Sequence, residues 1–414
     1  MSFLHYKKEY IRGDLSSGLV VAALVIPQGI AYALIAGLPP VIGLYTATIP
    51  VLIYLLFGSS PHVSIGPVAM ISILIFSGVT PYAVAGTPEY IQYVAILTIL
   101  VGVIQFLLHL LKVGVIVEHV PHGVISGFTS GCAVIIAVNQ ISTIIKMPLH
   151  DRGNMITSLG VIITNLKDIH VLTALIGFIS VIALMLLKKL LPNYPQPIFL
   201  IFISTMVAYI LNVSSKGVVL IGEIPMGLPP FVLPELSLDK VSVMLPTAIV
   251  IAFIGFIETF AIAKVIAKKE GYSIRPNTEL KSLGIANLIG GFFSSMPVAG
   301  GFSRSAVNYS SGAKTKFSSF LSAGIVIVTL ACFTSLFAFI PKAVLASIIL
   351  VSVIKLIDVK EAIYLLRTNI LNAAILLLTF SVTVVSGPKF GLGIGIFLSI
   401  LSGIRKVNIS YSIR

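Results

Sequence analysis

Ser295-Met-Pro-Val-Ala-Gly-Gly-Phe-Ser-Arg-Ser305 carries Pro297, Gly300, Gly301, Ser303 and Arg304, and apolar runs of membrane-spanning length flank it on both sides. Proline and paired glycines do not continue a helix, and one can restart over Phe302 to Asn308. At bilayer depth, irregular backbone and a cation are tolerated only where protein or a water-filled cavity satisfies them. A helix restarted there points its unpaired N–H groups, and the positive end of its dipole, into that cavity. Arg304 adds a full charge in the first turn. The stretch therefore predicts a pocket for an anion. The plainer alternative is a Pro/Gly kink with Arg304 reaching to the interface.

Outward from this stretch the chain is apolar. Its 414 residues are 57% hydrophobic and 10% charged, with a mean hydropathy of +1.08, which predicts an all-α polytopic membrane protein. Trp is absent, so an interfacial aromatic belt must be built from tyrosines. Cys132 and Cys332 both sit in apolar segments and are expected as small packing residues, not as a disulfide or metal pair. The formal charge of +13 invites an anionic partner, but in a membrane protein it also records orientation, and no nucleic acid is expected. No Walker A sequence is present, which argues against ATP-driven pumping by this chain; no cofactor is expected.

The hydropathy pattern predicts fourteen segments. Asp14 is a candidate N-cap for the first, which runs to Ala36 and carries Pro27-Gln28-Gly29 near its middle. The second follows Gly37-Leu-Pro-Pro40 and reaches Phe57. After Ser60-Pro-His-Val-Ser-Ile-Gly-Pro67, the next apolar run stops near Gly78. It gives roughly 18 Å of helix, too short for a bilayer core of about 30 Å. The third segment is thus a second broken span. Tyr90–Leu111 and His122–Ile145 are spans four and five, followed by a polar loop from Lys146 to His170. Span six ends at Lys188-Lys189 and span seven near Val213; Ser214 to Lys240 is the longest loop. Span eight begins near Ser242 and ends at Lys264, Lys268 and Lys269. Leu280–Phe293 is span nine, the broken stretch is ten, and eleven to fourteen start near Phe317, Pro341, Ile370 and Phe390.

Placing both chain ends in the cytoplasm puts most of the 27 Lys and Arg there, with Arg405-Lys406 closing the last span. The broken segments are third and tenth, the same place in each run of seven. Seven is odd, so the second run enters from the opposite face. Paired broken helices in an inverted repeat point to a site at the midplane.

Glu258, in Phe253-Ile-Gly-Phe-Ile-Glu-Thr-Phe260, is read as the acid well inside a span. It could accept a coupling proton, hold Na⁺, or form a structural pair with Arg304. Gln28 and Tyr32 lie four apart on one helix face, where each could donate to an anion or satisfy the break at Pro27. Glu118, His119 and His122 are interrupted by Pro121 in a loop and are read as a solvated connection, with no metal site.

Pro27-Gln-Gly-Ile-Ala-Tyr-Ala33, Pro39-Pro-Val-Ile-Gly-Leu-Tyr45, His62-Val-Ser-Ile-Gly-Pro67, Ile125-Ser-Gly-Phe-Thr-Ser-Gly131, Gly284-Ile-Ala-Asn287 and Gly301-Phe-Ser-Arg-Ser305 resemble the sulfate-permease family, which includes the prestin and pendrin anion transporters. The resemblance covers essentially the whole chain. It implies two inverted repeats of seven segments, the fold shared with uracil permease. It further implies a cytoplasmic segment 1–13, a moving core of 14–115 and 242–338, a gate of 116–241 and 339–406, and a cytoplasmic tail 407–414. The implied anion site is Gln28, Tyr32, Val68, Ser303 and Arg304, with Glu258 as the coupling carboxylate.

The implied activity is proton-coupled sulfate uptake by elevator-like alternating access at the cell membrane. The implied partners are the anion, a coupling H⁺ or Na⁺, the lipid bilayer and a second copy of the chain. Sodium-coupled bicarbonate carriers in the family resemble Asp followed four residues later by Thr, whereas this chain has Glu258 and Ile262. Family members usually continue into a cytoplasmic STAS domain, and this sequence stops at Arg414: either it was cut there or it is a short form. An anion exchanger or channel, or a voltage-responsive protein, is the rival from another class. A nucleobase permease rests on fold alone. No nucleophile–base pair points to an enzyme.

Overall fold

A computed structural model describes residues 7–114, 122–147, 155–190 and 196–388, and separate positions from 390 to 398. The expectations for residues 1–6, for Glu118, His119 and Pro121, for Arg405 and Lys406 and for the tail 407–414 lie outside the described residues, as does most of the expected last span. Among the described residues every strand is two residues long and the rest of the regular structure is helical. The chain is an all-α polytopic membrane protein. Among the described residues, six helical segments are long and apolar enough to cross a membrane, and shorter apolar helices of 10–17 residues accompany them.

The elements in order are α1 (Ile11–Ile35), α2 (Pro40–Thr46), α3 (Ile49–Phe57), β1 (Ile65–Gly66), α4 (Ala69–Val79), α5 (Pro88–Leu110), α6 (His122–Ile144), α7 (Met155–Thr164), α8 (Val171–Leu190) and α9 (Gln196–Ile210). There follow α10 (Leu238–Glu270), α11 (Pro276–Phe292), β2 (Ala299–Gly300), α12 (Phe302–Ser310), α13 (Phe317–Cys332), α14 (Lys342–Val353), α15 (Val359–Thr368) and α16 (Ile370–Ser386).

Two compact units divide the chain: Met1–Val115 with Ile182–Leu345, and Ile116–Val181 with Ala346–Arg414. In the first, α11 packs along α5 and α3, α13 along α1, and α10 along α5, α4 and β2. Residues 182–241, assigned with the gate above, fall in this unit. Their backbone explains it: Ile221 N donates to Ile340 O at 3.0 Å, Gly227 N to Leu330 O at 3.1 Å and Val232 N to Phe292 O at 2.8 Å. In the second unit α6 packs against α16 and α7, and Ser347 Oγ donates to the Gly177 carbonyl at 2.9 Å.

Several expectations need correction. Asp14 does not cap its own helix, because α1 already begins at Ile11. Its fully buried carboxylate instead accepts from Lys314 N, Thr315 N and Thr315 Oγ1 at 2.7, 3.0 and 2.6 Å, tying α1 to the approach to α13. The second span is not one helix: it breaks at Ala47-Thr48, and α3 restarts with Pro50 in its first turn. The loop from Lys146 to His170 contains α7, and residues 359–368 form a helix capped by Asp358, which accepts from Glu361 N at 2.9 Å. Glu279, in the first turn of α11, is a fully buried acid that the hydropathy pattern did not single out. It accepts from Tyr54 Oη at 2.5 Å and Ser59 N at 2.8 Å, which satisfies the carboxylate. Cys132 is buried, but Cys332 ends α13 and is exposed.

Candidate functional site

The two predicted breaks meet. β1 and β2 pair antiparallel, with Ile65 opposite Gly300 and Gly66 opposite Ala299. Each strand leads within a few residues into a short helix, α4 from the N-cap Val68 and α12 from the N-cap Gly301. Since the strands are antiparallel, the helices leave opposite ends of the ribbon with both N-termini beside it. Neither has a side-chain cap. The unpaired first-turn N–H groups and the dipoles of both helices therefore favour negative charge at one place.

Irregular backbone buried this way must have its polar groups satisfied. Side chains do so on the approach to β2. Thr98 Oγ1 donates to Ser295 O at 3.1 Å, Met296 N donates to Thr46 Oγ1 at 3.0 Å, and Gly300 N donates to Thr259 Oγ1 at 2.7 Å. Across the ribbon Gly301 N donates to Ser64 O at 3.1 Å, and Ser64 N to Ser305 Oγ at 3.0 Å. Below it, Asn308 Nδ2 donates to His62 O at 2.8 Å, while Ser17 Oγ donates to Asn308 Oδ1 at 2.6 Å. His62 Nδ1 lies 3.0 Å from Tyr272 Oη, and its Nε2 lies 3.1 Å from Ala313 O. A carbonyl only accepts, so Nε2 carries the hydrogen to Ala313 O, and Nδ1 of the neutral ring accepts from Tyr272 Oη.

Arg304 is among the largest fully buried side chains, at 1% exposure. Its Nη1 donates to the Pro67 carbonyl at 2.6 Å and reaches Gln28 Oε1 at 3.5 Å. Nε and Nη2 are buried with no hydrogen-bond partner. A buried guanidinium with two idle donor nitrogens is costly unless a ligand completes it. Glycine makes room for it. A Cβ at Gly301 would stand 2.9 Å from Arg304 Cζ, and one at Gly66 3.3 Å from Nη2 at a backbone φ of +152°.

The structure thus joins Arg304 to Gln28 and places Val68 one residue beyond the Pro67 carbonyl. Gln28, Tyr32 and Val68 are buried, whereas Ser303 is exposed. Glu258 makes no ion pair with Arg304 among the described residues, and its Oε2 is buried without a hydrogen-bond partner. Sequence reasoning missed the Pro67 carbonyl, Thr259 and the Ser64–Ser305 contact. Ser64 sits inside the His62–Pro67 stretch already singled out, and Thr259 adjoins Glu258.

The model of the sulfate permease family matches residues 11–379. "Sulfate transporter 4.1, chloroplastic" from Arabidopsis thaliana is 34% identical over 400 residues, covering 95% of this chain and 58% of that protein. The chain thus spans somewhat over half the length of such relatives. The solved structure of the murine solute carrier 26 family member A9 anion transporter in the inward-facing state matches with a TM-score of 0.91 at 26% identity, over 97% of this chain and 70% of that one. The transmembrane domain of the cyanobacterium bicarbonate transporter BicA matches with a TM-score of 0.82 at 24% identity, over 94% and 98% of the two chains, and shares the fold.

Proposed function

Because the chain belongs to the sulfate permease family, we propose that it is a secondary anion transporter that takes up sulfate together with a proton. The observation that carries this reading is the buried Arg304 guanidinium, idle at Nε and Nη2 beside two uncapped helix N-termini. An oxyanion with several acceptors spread around one centre matches that donor set, and a full cation in a buried site selects for charge. Gln28, Tyr32, Val68, Ser303 and Arg304 line the anion site in this proposal. Gln28 and Tyr32 supply polar contacts from α1, Val68 and Ser303 the helix starts, and Arg304 the charge.

Glu258 carries the proton. Its unpartnered Oε2 supports this, since a carboxyl that binds H⁺ in one step and releases it in the next is not locked into permanent hydrogen bonds. Protonation of Glu258 removes a negative charge that repels the anion and so strengthens anion binding; release of the anion lifts that repulsion from the carboxylate and favours loss of the proton. The cycle moves a core against a gate by an elevator-like step, core and gate each drawing segments from both inverted repeats of seven. The protein works in the cell membrane as a homodimer, with both termini cytoplasmic.

A second reading, sodium-coupled bicarbonate or dicarboxylate transport, draws on the fold shared with the bicarbonate transporter BicA. Ile262 in place of a hydroxyl four residues after Glu258 disfavours Na⁺. The test is uptake by purified protein in proteoliposomes, with sulfate, bicarbonate, fumarate and chloride offered under an inward proton gradient, with and without Na⁺. Sulfate uptake driven by the proton gradient alone supports the proposal. Sodium-dependent bicarbonate uptake selects the second reading. No uptake of any of these anions by folded protein overturns both.

A further inference from the structure

We infer that Asn287 is a positioning residue for the anion site, acting with Gln105 to hold β2 and α10 in one register. Asn287 lies on α11 and Gln105 on α5, and both are fully buried. The carboxamide of Asn287 treats Val298 as a neighbouring strand would. Its Oδ1 accepts from Val298 N at 2.7 Å and its Nδ2 donates back to Val298 O at 3.3 Å. The other Nδ2 hydrogen goes to Gln105 Oε1 at 2.9 Å, and Gln105 Nε2 then donates to the Ala252 carbonyl of α10 at 3.1 Å.

The two amides form a relay of four hydrogen bonds from the backbone leading into β2 to the helix that carries Glu258. Thr98, Thr46 and Thr259 each satisfy a single group of the run 295–300, whereas Asn287 pairs both groups of one peptide position. The segment Gly284-Ile-Ala-Asn287 has a physical reason in this geometry. A Cβ at Gly284 would stand 2.8 Å from Phe106 N, so only glycine lets α5 approach closely enough for Gln105 to meet Asn287.

The consequence is geometric. Arg304 follows β2 through Gly301, and its guanidinium position depends on where the β1–β2 ribbon stands. Fixing Val298 against Ala252 places the start of α12 and the Glu258 helix in one rigid body, so the anion donors and the carboxyl keep their spacing when the site moves. Neither amide needs to touch the anion.

The inference rests on the proposed anion site, and its test keeps the two apart. Sulfate binding to purified protein is measured for wild type, Arg304→Ala, Asn287→Ala and Gln105→Glu, each checked for folding by thermal melting and monodispersity. Asn287→Ala is expected to bind sulfate at least about tenfold more weakly while remaining folded. Gln105→Glu is expected to gain a pH dependence. Its protonated carboxyl still donates to Ala252, whereas the ionised form cannot and loses affinity as pH rises. The exchanged pair Asn287→Gln with Gln105→Asn, which keeps two amides in contact, is expected to recover part of the lost affinity. A role in stability alone would lower melting temperature without adding a pH-dependent step to binding.

Wild-type affinity in a folded Asn287→Ala protein overturns the inference. If Asn287→Ala does not fold, a Gln105→Glu protein that follows the wild-type pH profile overturns it instead. Retained sulfate binding by Arg304→Ala overturns the site itself, and with it this inference. Loss in Arg304→Ala alone overturns only the role of Asn287.

Discussion

Arg304 Nη1 donates to the Pro67 carbonyl at 2.6 Å, so the cation at the start of one broken helix is held by the backbone just before the other. That bond fixes one edge of the guanidinium and leaves Nε and Nη2 as the unsatisfied edge. The arrangement is pre-organised: the side chain's entropy is already lost before a ligand arrives, which favours affinity.

Arg304→Ala is expected to abolish measurable sulfate binding while the protein stays folded. Truncating one member of a buried charge pair costs about 2–5 kcal/mol, or roughly thirtyfold upwards in Kd. Arg304→Lys keeps the charge but loses the planar fork, so it should recover part of the affinity only. Calorimetry on purified protein reads both. Wild-type binding by Arg304→Ala retires this site.

Gly301→Ala isolates the room that Arg304 needs. The N-cap φ of −86° suits alanine, so no backbone strain is added. The new methyl would stand 2.9 Å from Arg304 Cζ, with more of the guanidinium close behind. Overpacking of this kind costs about 1–3 kcal/mol, relieved here by displacing the guanidinium. Sulfate affinity should fall about tenfold or more with a modest drop in melting temperature. Unchanged affinity would show that Arg304 does not need its present position.

The broken segments were legible because Pro and Gly act locally: Pro297, Gly300 and Gly301 interrupt a helix wherever they stand. Even so, proline alone decides little. Pro27 and Pro246 lie inside continuous α1 and α10, whereas Pro50 opens α3 after a break that the hydropathy of the second span concealed. The helix at 359–368 did leave a local mark, Asp358 three residues before Glu361, in the manner of a capping box. What no local pattern carries is pairing across hundreds of residues. Asp14 looks like a helix cap in sequence, yet it serves the 314–315 backbone. The distance between Glu258 and Arg304 depends on how α10 lies against the ribbon, and composition is silent on that.

Asp14→Ala should destabilise the protein without touching the anion site. It removes the acceptor for Lys314 N, Thr315 N and Thr315 Oγ1 in a buried setting. Each donor left unsatisfied costs about 1–3 kcal/mol, so thermal stability in detergent should fall clearly. Sulfate affinity of the folded fraction should stay near wild type. A melting temperature equal to wild type would mean that water replaces the carboxylate without loss.

Glu258→Gln keeps the shape of the side chain and removes its ability to ionise. Two accounts of Glu258 part here. If it were the structural partner of Arg304, the substitution would leave a buried cation alone, a loss of several kcal/mol. Melting temperature would drop in anion-free buffer and recover on adding sulfate. The structure gives no ion pair between the two among the described residues and leaves Glu258 Oε2 without a hydrogen-bond partner. Stability is therefore expected to change little. If Glu258 carries the coupling proton, the neutral amide mimics the protonated, loaded state, and sulfate binding should persist. Net uphill uptake should collapse, and the residual exchange should lose its dependence on pH, because no group on α10 then gains or releases a proton with each anion. Uptake driven by a proton gradient and thermal melting, measured on the same preparation, separate the outcomes. Full proton-driven uptake by a stable Glu258→Gln protein removes Glu258 from the coupling step.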